Sequence, residues 1–318
     1  MKRTPLTLIP AIITILTTTF AVPLTYADDI TIADNTVSVT KKWDRLLPFF
    51  GERAVMNGHD LPLPFGISVI YADAQQDMTL TDLSVGFEGS KEFDLDFISF
   101  DNTISHTQTP QLKLDAWVLP FMNVFATFGK VVGTANINFA IDGNEALKQM
   151  GIKCPSETNT DICKKLNNQR FEIDEVEADI SGMSYSTGLV LIGGWNSYFI
   201  LLPVALSWTD MERNDSDSYT VNISPRLGKK FTFNNGTHLS LYTGVSYLNS
   251  QQRLSGSQDI DGTGESFNYT ISQENIDKWM GVVGGSYSLT KHWSLAFEYG
   301  GFDGGNRRQF VSNLTYRY

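Results

Sequence analysis

From Phe65 onward the large apolar positions of this chain recur with period two, not 3.6. In "KHWSLAFEYGG" the residues Trp293, Leu295, Phe297 and Tyr299 fall on one face, opposite His292, Ser294, Ala296, Glu298 and Gly300. "SYTVNISPRLG" sets Tyr219, Val221, Ile223, Pro225 and Leu227 against Thr220, Asn222, Ser224 and Arg226. "QLKLDAWVL" sets Leu112, Leu114, Ala116 and Val118 against Lys113, Asp115 and Trp117. The closing stretch "FVSNLTYRY" places Phe310, Leu314, Tyr316 and Tyr318 opposite Val311, Asn313, Thr315 and Arg317.

A soluble sandwich also alternates, but here aromatic residues gather near strand ends on the apolar face: Trp208, Tyr219, Trp279, Tyr287, Trp293, Tyr299, Tyr316 and Tyr318. That is the pattern of a lipid-facing band with interfacial girdles. Connections alternate in length as well. "LPFMN", "GGWNS" and "SLTKHW" are tight, whereas 140–178 and 253–275 are long and polar. Strands are predicted near 63–73, 77–87, 92–101, 110–119, 122–139, 179–191, 197–211, 217–226, 238–252, 275–288, 292–302 and 308–318. The expected fold is all-β, a transmembrane antiparallel up-and-down β-barrel of about 12 strands, with 10 as the alternative count.

The N-terminus is of another kind. Lys2 and Arg3 precede the uncharged segment Leu6 to Leu24, and Thr25-Tyr26-Ala27 has the small residues that signal peptidase reads. Residues 1–27 are therefore expected to be a cleaved signal peptide. Its removal takes two of the 24 Lys+Arg and none of the 35 Asp+Glu, so 22 stand against 35 and the net charge moves from −11 to −13. Such acidity argues against nucleic-acid binding, which rests on basic surface, and against a polybasic lipid dock. No later run is long and apolar enough for a transmembrane helix. Residues 28–62 gather Trp43, Leu46, Leu47, Phe49 and Phe50 around Pro48 and Gly51, and are expected to plug the lumen or pack at the periplasmic mouth of the barrel, 63–318. Cys154 and Cys163 enclose one polar loop, which in an exported chain predicts a local disulfide.

The stretches "LPLPFGISVIY", "LKLDAWVLPFMNVFATFGKVVGT", "KHWSLAFEYGG" and the closing "LTYRY" resemble uncharacterised Gram-negative outer-membrane β-barrel proteins, some labelled virulence-associated, of the small OmpA-like general type. The resemblance covers most of 61–318 and implies a place in the cell outer membrane. Lipid and lipopolysaccharide, the outer-membrane assembly machinery and periplasmic chaperones are the expected partners; the sequence leaves the oligomeric state open, with a monomer as the expectation. Phe310, Leu314, Tyr316 and Tyr318 resemble the C-terminal signal that this machinery reads. The family brings no catalytic residue and no cofactor.

By the alternation, Asp82, Asp94, Asp96, Lys113, Asp115, Arg226, Glu298 and Arg317 are expected to face the lumen, with Arg317 paired to an inward acid such as Glu298. Such charges suit either a selective constriction or a salt-bridged core that blocks the pore. The leading expectation is a structural or small-solute pore. One alternative is a lipid-modifying hydrolase: His292-Trp293-Ser294 resembles the His-x-Ser of lipid A deacylases, with both side chains expected at a periplasmic turn and facing inward. Another is a surface adhesin presenting the Cys154–Cys163 loop. His106 is placed in a short loop, and Ser105 and His106 face opposite ways, so they make no dyad. The carboxylates from Asp161 to Asp179 lack the spacing of a Ca²⁺ loop, and no metal site is expected.

Overall fold

The computed structural model describes residues 43–87, 93–154, 161–212, 215–259, 266–301 and 305–318. The expected signal peptide lies outside them. After the short helix α1 (Gly51–Met56), the chain runs through strands β1 (Phe65–Phe87), β2 (Phe93–Asp94), β3 (Ile98–Leu119) and β4 (Met122–Asp142). Two short helices follow, α2 (Gly143–Gln149) and α3 (Asp161–Leu166). The rest is β5 (Arg170–Trp195), β6 (Tyr198–Met211), β7 (Asp215–Ile223), β8 (Arg226–Thr232), β9 (His238–Asp259), β10 (Ser266–Asn275), β11 (Trp279–Ser288), β12 (Trp293–Gly300) and β13 (Arg307–Arg317).

Every pairing is antiparallel, and the sheet closes on itself in two ways. The wide circuit is β1, β3, β4, β5, β6, β8, β9, β11, β12 and β13, with β13 returning to β1 from Gly66↔Arg317 to Gln76↔Arg307. Above the tip of the β12–β13 hairpin, β10 takes β13's place beside β1, from Met78↔Asn275 onward. That second circuit is β1, β3, β4, β5, β6, β7, β9 and β10. Pro225 has no N–H to donate and separates β7 from β8, which otherwise form one stave. The barrel thus narrows from ten staves to eight along its length. Eight is the number at which side chains fill the interior.

Ten staves replace the twelve expected, because β1 and β3 each run through a predicted turn. β1 spans both 63–73 and 77–87 from Phe65, and β3 joins the end of 92–101, from Ile98, to 110–119, so His106 lies on a strand and not in a loop. The cause is an inversion of polarity along unbroken strands. On β1 the outward residues go from Phe65, Ile67, Val69 and Tyr71 to Asp73, Gln75, Asp77 and Thr79. The inward ones go from Gly66 and Ser68 to Met78 and Leu80. A swap of the apolar face looks, in sequence, like a chain reversal.

The inversion marks where the membrane ends. Below it an exposed apolar belt includes Ile67, Leu114, Ile200, Leu206, Leu241, Phe297 and Leu314. Its lower edge carries Phe65, Trp195, Tyr198, Trp293 and Tyr318, and its upper edge Tyr71, Tyr185, Trp208, Tyr219 and Trp279. From Tyr198 to Trp208 on β6 the belt spans eleven residues, the length a tilted strand needs to cross a bilayer. β1 has 23 residues, so its upper half stands in water. There the outer face is polar, with Asp73 beside His106 at 3.2 Å, and Lys130 beside Glu212 at 3.6 Å. The short turns and both barrel ends share the lower rim, the periplasmic side in this class of barrel.

At that rim the leader folds back on the barrel base. Phe49 N–H donates to Val118 O at 2.8 Å, Pro48, Gly51, Pro62 and Pro64 are buried, and Leu46, Phe50 and Met56 stay exposed. At the opposite end Asp142 caps α2 by accepting from Asn144 N–H and Glu145 N–H. The Cys154–Cys163 disulfide closes this helical loop. The stretch 140–178, predicted as one long loop, instead carries the ends of β4 and β5 with α2 and α3 between them.

A surface-labelling experiment checks the inversion. The chain has no free cysteine, so Thr79→Cys should react with a membrane-impermeant maleimide on intact cells while Val69→Cys stays protected. Protection of both would restore a turn near 73–77.

Candidate functional site

The interior is the place to look for chemistry, and it is built in three levels. At the base Asp115 on β3 accepts from Arg317 Nη2 at 2.8 Å and from Asn123 Nδ2 at 2.8 Å, with Lys113 Nζ 3.6 Å away. Register explains the pairing. Gly66 on β1 lies opposite Arg317 on one side and Asp115 on the other, so only a glycine separates them. A Cβ at Gly66 would stand 2.6 Å from Asp115 Oδ1. The missing side chain is what lets the ion pair pass over β1. Arg317 also donates to Leu63 O at 3.3 Å and lies over the Trp117 ring, 5.9 Å from its centre. A second pair, Arg226 Nε to Glu298 Oε2 at 2.7 Å, joins β8 to β12. All four ion-paired side chains are buried to within about 2% of full enclosure. At this level the interior is packed with side chains.

Above and around the ion pairs lies a layer of hydroxyls and amides. Ser68 and Thr315 meet at 2.7 Å, Ser186 and Ser207 at 2.9 Å, Thr220 and Ser250 at 3.0 Å, and Asn222 donates to Ser246 at 3.0 Å. Each joins inward positions of paired or neighbouring strands, as buried polar groups require. Higher still the interior becomes apolar. Met78, Leu80, Val131, Ala135, Ile137, Ile180, Leu248, Leu254 and Ile271 form one buried cluster. A cavity of about 230 Å³ opens beside it, walled by Leu80, Val85, Phe100, Ile137, Val176 and Tyr269 among others.

The residues predicted from sequence to face the lumen divide sharply. Lys113, Asp115, Arg226, Glu298 and Arg317 are buried inside the barrel. Arg317 pairs with Asp115 and not with Glu298, because the register carries it across β1 to β3, whereas Glu298 is held by Arg226. Asp82 is a correction: a bulge between Thr81 and Ser84 inserts one residue, Asp82 takes φ 54°, and its side chain turns outward. Asp94 and Asp96 are corrections too. The strand predicted over 92–101 breaks at Leu95–Phe97, leaving Asp94 on the two-residue β2 and Asp96 in a turn, both exposed at the outer rim. Gln149 of α2 donates to Asp94 O there.

His292 also departs from expectation. It is exposed, stacks on Tyr316 with ring centres 5.8 Å apart, and donates through Nδ1 to Arg317 O at 2.7 Å. Ser294 is buried inside, so the two face opposite sides of the barrel wall. Ser105 faces inward and His106 outward. Phe310, Leu314, Tyr316 and Tyr318 lie outward in the apolar belt. Among the described residues no group of three His, Cys, Asp or Glu gathers as metal ligands.

Two features escaped the sequence reading. Arg307 is buried inside on the same alternation as Arg317, ten residues earlier on β13, and would have been found by carrying that alternation upward. The apolar cavity had no such signal, since the bulge at Asp82 is what turns Leu83 and Val85 into it.

No protein-family model matches the sequence, and no curated protein matches it. Solved structures do resemble the fold. The outer membrane protein OprG from Pseudomonas aeruginosa matches with a TM-score of 0.38 at 10% identity, covering 81% of this chain and 100% of that one. The toluene transporter TbuX from Ralstonia pickettii matches with a TM-score of 0.34 at 10% identity, covering 81% and 90%. The β domain of the Bordetella autotransporter BrkA matches with a TM-score of 0.33 at 8% identity, covering 79% and 99%. All are Gram-negative barrels with unlike roles, so the likeness concerns architecture alone.

Replacing Asp115 by Asn should lower stability by about 3–5 kcal/mol, because Arg317 then keeps a buried charge without its carboxylate. Asp82→Asn, on the exposed bulge, should change it by less than about 0.5 kcal/mol. Urea unfolding of the refolded protein followed by tryptophan fluorescence compares them; equal midpoints would show that the base ion pair does not hold the barrel. The closed ring, apolar belt and two aromatic girdles make this chain a β-barrel of the Gram-negative outer membrane.

Proposed function

We propose that this barrel handles small solutes and receives a compact apolar molecule at its extracellular end. The observation that carries the reading is the cavity of about 230 Å³ on the water-exposed side of the membrane, walled by Leu80, Leu83, Val85, Leu95, Ile98, Phe100, Ile137, Phe139, Val176, Tyr269 and Ile271. An apolar cavity of about 150 Å³ stays dry and takes benzene. One of 230 Å³ suits a one- or two-ring hydrocarbon or an aliphatic body of similar bulk. A site of this kind binds by removing apolar surface from water, at about 25 cal/mol per Å².

The levels beneath support a barrel that is closed at rest. A solute moving towards the periplasm meets the hydroxyl layer and then the buried pairs Arg226–Glu298 and Arg317–Asp115. Passage therefore requires the base to rearrange, and the upper cavity acts as the point of capture. A hydrolytic role finds no support in the geometry, with His292 outside the wall and Ser294 within it.

The test is binding of 1-aminonaphthalene to refolded protein in detergent, followed by its fluorescence. Saturable binding is expected in the wild type. Val176→Asp should weaken it on the order of tenfold or more, since a carboxylate there must be desolvated when the ligand enters. Binding that is absent, or indifferent to Val176→Asp, would dismiss the reading.

A further inference from the structure

The interior of this acidic protein carries too much positive charge. Among the described residues, Lys113, Arg226, Lys230, Arg307 and Arg317 are buried, against only Asp115 and Glu298 as buried carboxylates. Those two acids are engaged by Arg317 and Arg226. A buried charge is retained only where something compensates it. Lys113 shares Asp115 at 3.6 Å, and Arg307 is the buried arginine that joins no ion pair among the described residues.

Arg307 is 3% exposed; the carboxylates of Glu298 and Asp277 act on it electrostatically, but among the described residues its one hydrogen bond is Nη2 to Gln309 Oε1 at 3.5 Å, at the outer limit of such a bond. Its Nε and Nη1 have no hydrogen-bond partner among the described residues. Directly opposite on β1 stands Gln76, 2% exposed, with neither its amide oxygen nor its amide nitrogen bonded among the described residues. Gln76 is in turn opposite Ser105 on β3, so the three inward side chains form one row across β13, β1 and β3. Thr103, the next inward residue up β3, is buried with its hydroxyl unbonded. Cross-strand neighbours have Cβ atoms about 5 Å apart, so the two side chains rise from adjacent points of the inner wall. Ala74 and Met78 flank Gln76 on its own strand and leave the surroundings apolar. A charge-assisted hydrogen bond gains strength in such a place.

We propose that Arg307 and Gln76 form a binding site for a small carboxylate inside the barrel, just below the apolar upper core. The carboxylate supplies the missing negative charge and accepts from the Arg307 N–H groups, while the Gln76 amide donates to its second oxygen. The Ser105 and Thr103 hydroxyls complete the rim of the site. The site stands on different residues from the apolar cavity, and it holds whether or not that cavity takes a ligand.

Saturation-transfer difference NMR on the refolded protein in detergent, with sodium acetate and its neutral isostere acetamide, tests the site. The expected result is saturable binding of acetate with at least about tenfold weaker binding of acetamide, as for charge-assisted pairing. Arg307→Gln should abolish the preference for acetate, and Gln76→Leu should weaken acetate binding about threefold or more. Arg308→Gln, the adjacent cation that faces outward, should leave it unchanged. Gln76→Leu removes no charge from the interior, so it still decides the matter if Arg307→Gln fails to fold. No saturable acetate signal, equal binding of acetamide, or loss of binding in Arg308→Gln would overturn the proposal and leave the unbonded groups to water.

Discussion

In hydrocarbon a backbone N–H or C=O without a partner on the chain costs several kcal/mol, and a sheet can avoid that only by having no edge. Much of this structure follows from that constraint. The hairpin of β12 and β13 stops at Gly300 and Arg307, which would leave β1 with a bare edge from Met78 upward, above the membrane, where an unpaired strand is open to pairing with another chain. β10 bends across and supplies the missing partner, and the ring closes again with eight staves in place of ten. Closure and narrowing are thus one event. The narrowing leaves the upper interior filled with Met78, Leu248, Leu254 and Ile271, while the wider base is filled by long charged side chains and small polar ones.

The same strands serve two solvents. Within the bilayer the outer face is apolar and the inner face polar; above it the arrangement reverses without any break in the ladder. Phe65 to Tyr71 meet lipid, whereas Asp73 to Thr79 meet water on the same face of the same strand. The extracellular half is in effect a small soluble barrel with a hydrophobic core, standing on a transmembrane base whose interior is held by ion pairs. The interior charges are tolerated for a definite reason at each place: Arg317 reaches Asp115 because Gly66 leaves room, and Arg226 reaches Glu298 across β9 and β11. Arg307 lies between these two regimes.

Alternation alone revealed the all-β class, the lipid-facing residues Phe310, Leu314, Tyr316 and Tyr318, and the inward set Lys113, Asp115, Arg226, Glu298 and Arg317. It could do so because a strand's two faces are fixed by parity, and a membrane punishes a misplaced charge on the outer one. Parity fails where a residue is inserted or the surroundings change. The bulge at Asp82 reversed the facing of that aspartate, and the break at Leu95–Phe97 removed Asp94 and Asp96 from the wall. The polarity switch after Tyr71 imitated a turn and split β1 in two, as the stretch around His106 did for β3.

Which inward residue touches which is a matter of register across strands far apart in the chain. Arg317 and Asp115 are 202 positions apart and meet only because β1 lies between β13 and β3 with a glycine at the crossing. The apolar cavity likewise draws Leu80, Phe100, Val176 and Tyr269 from four strands that meet only in the narrowed ring. The sequence by itself determined the class of fold, the membrane-facing side and the side on which each strand carries its charges, since these are local properties of a period-two chain. The number of staves, the partner of each buried charge and the existence of an apolar chamber were decided by tertiary structure, because they depend on how the ring closes.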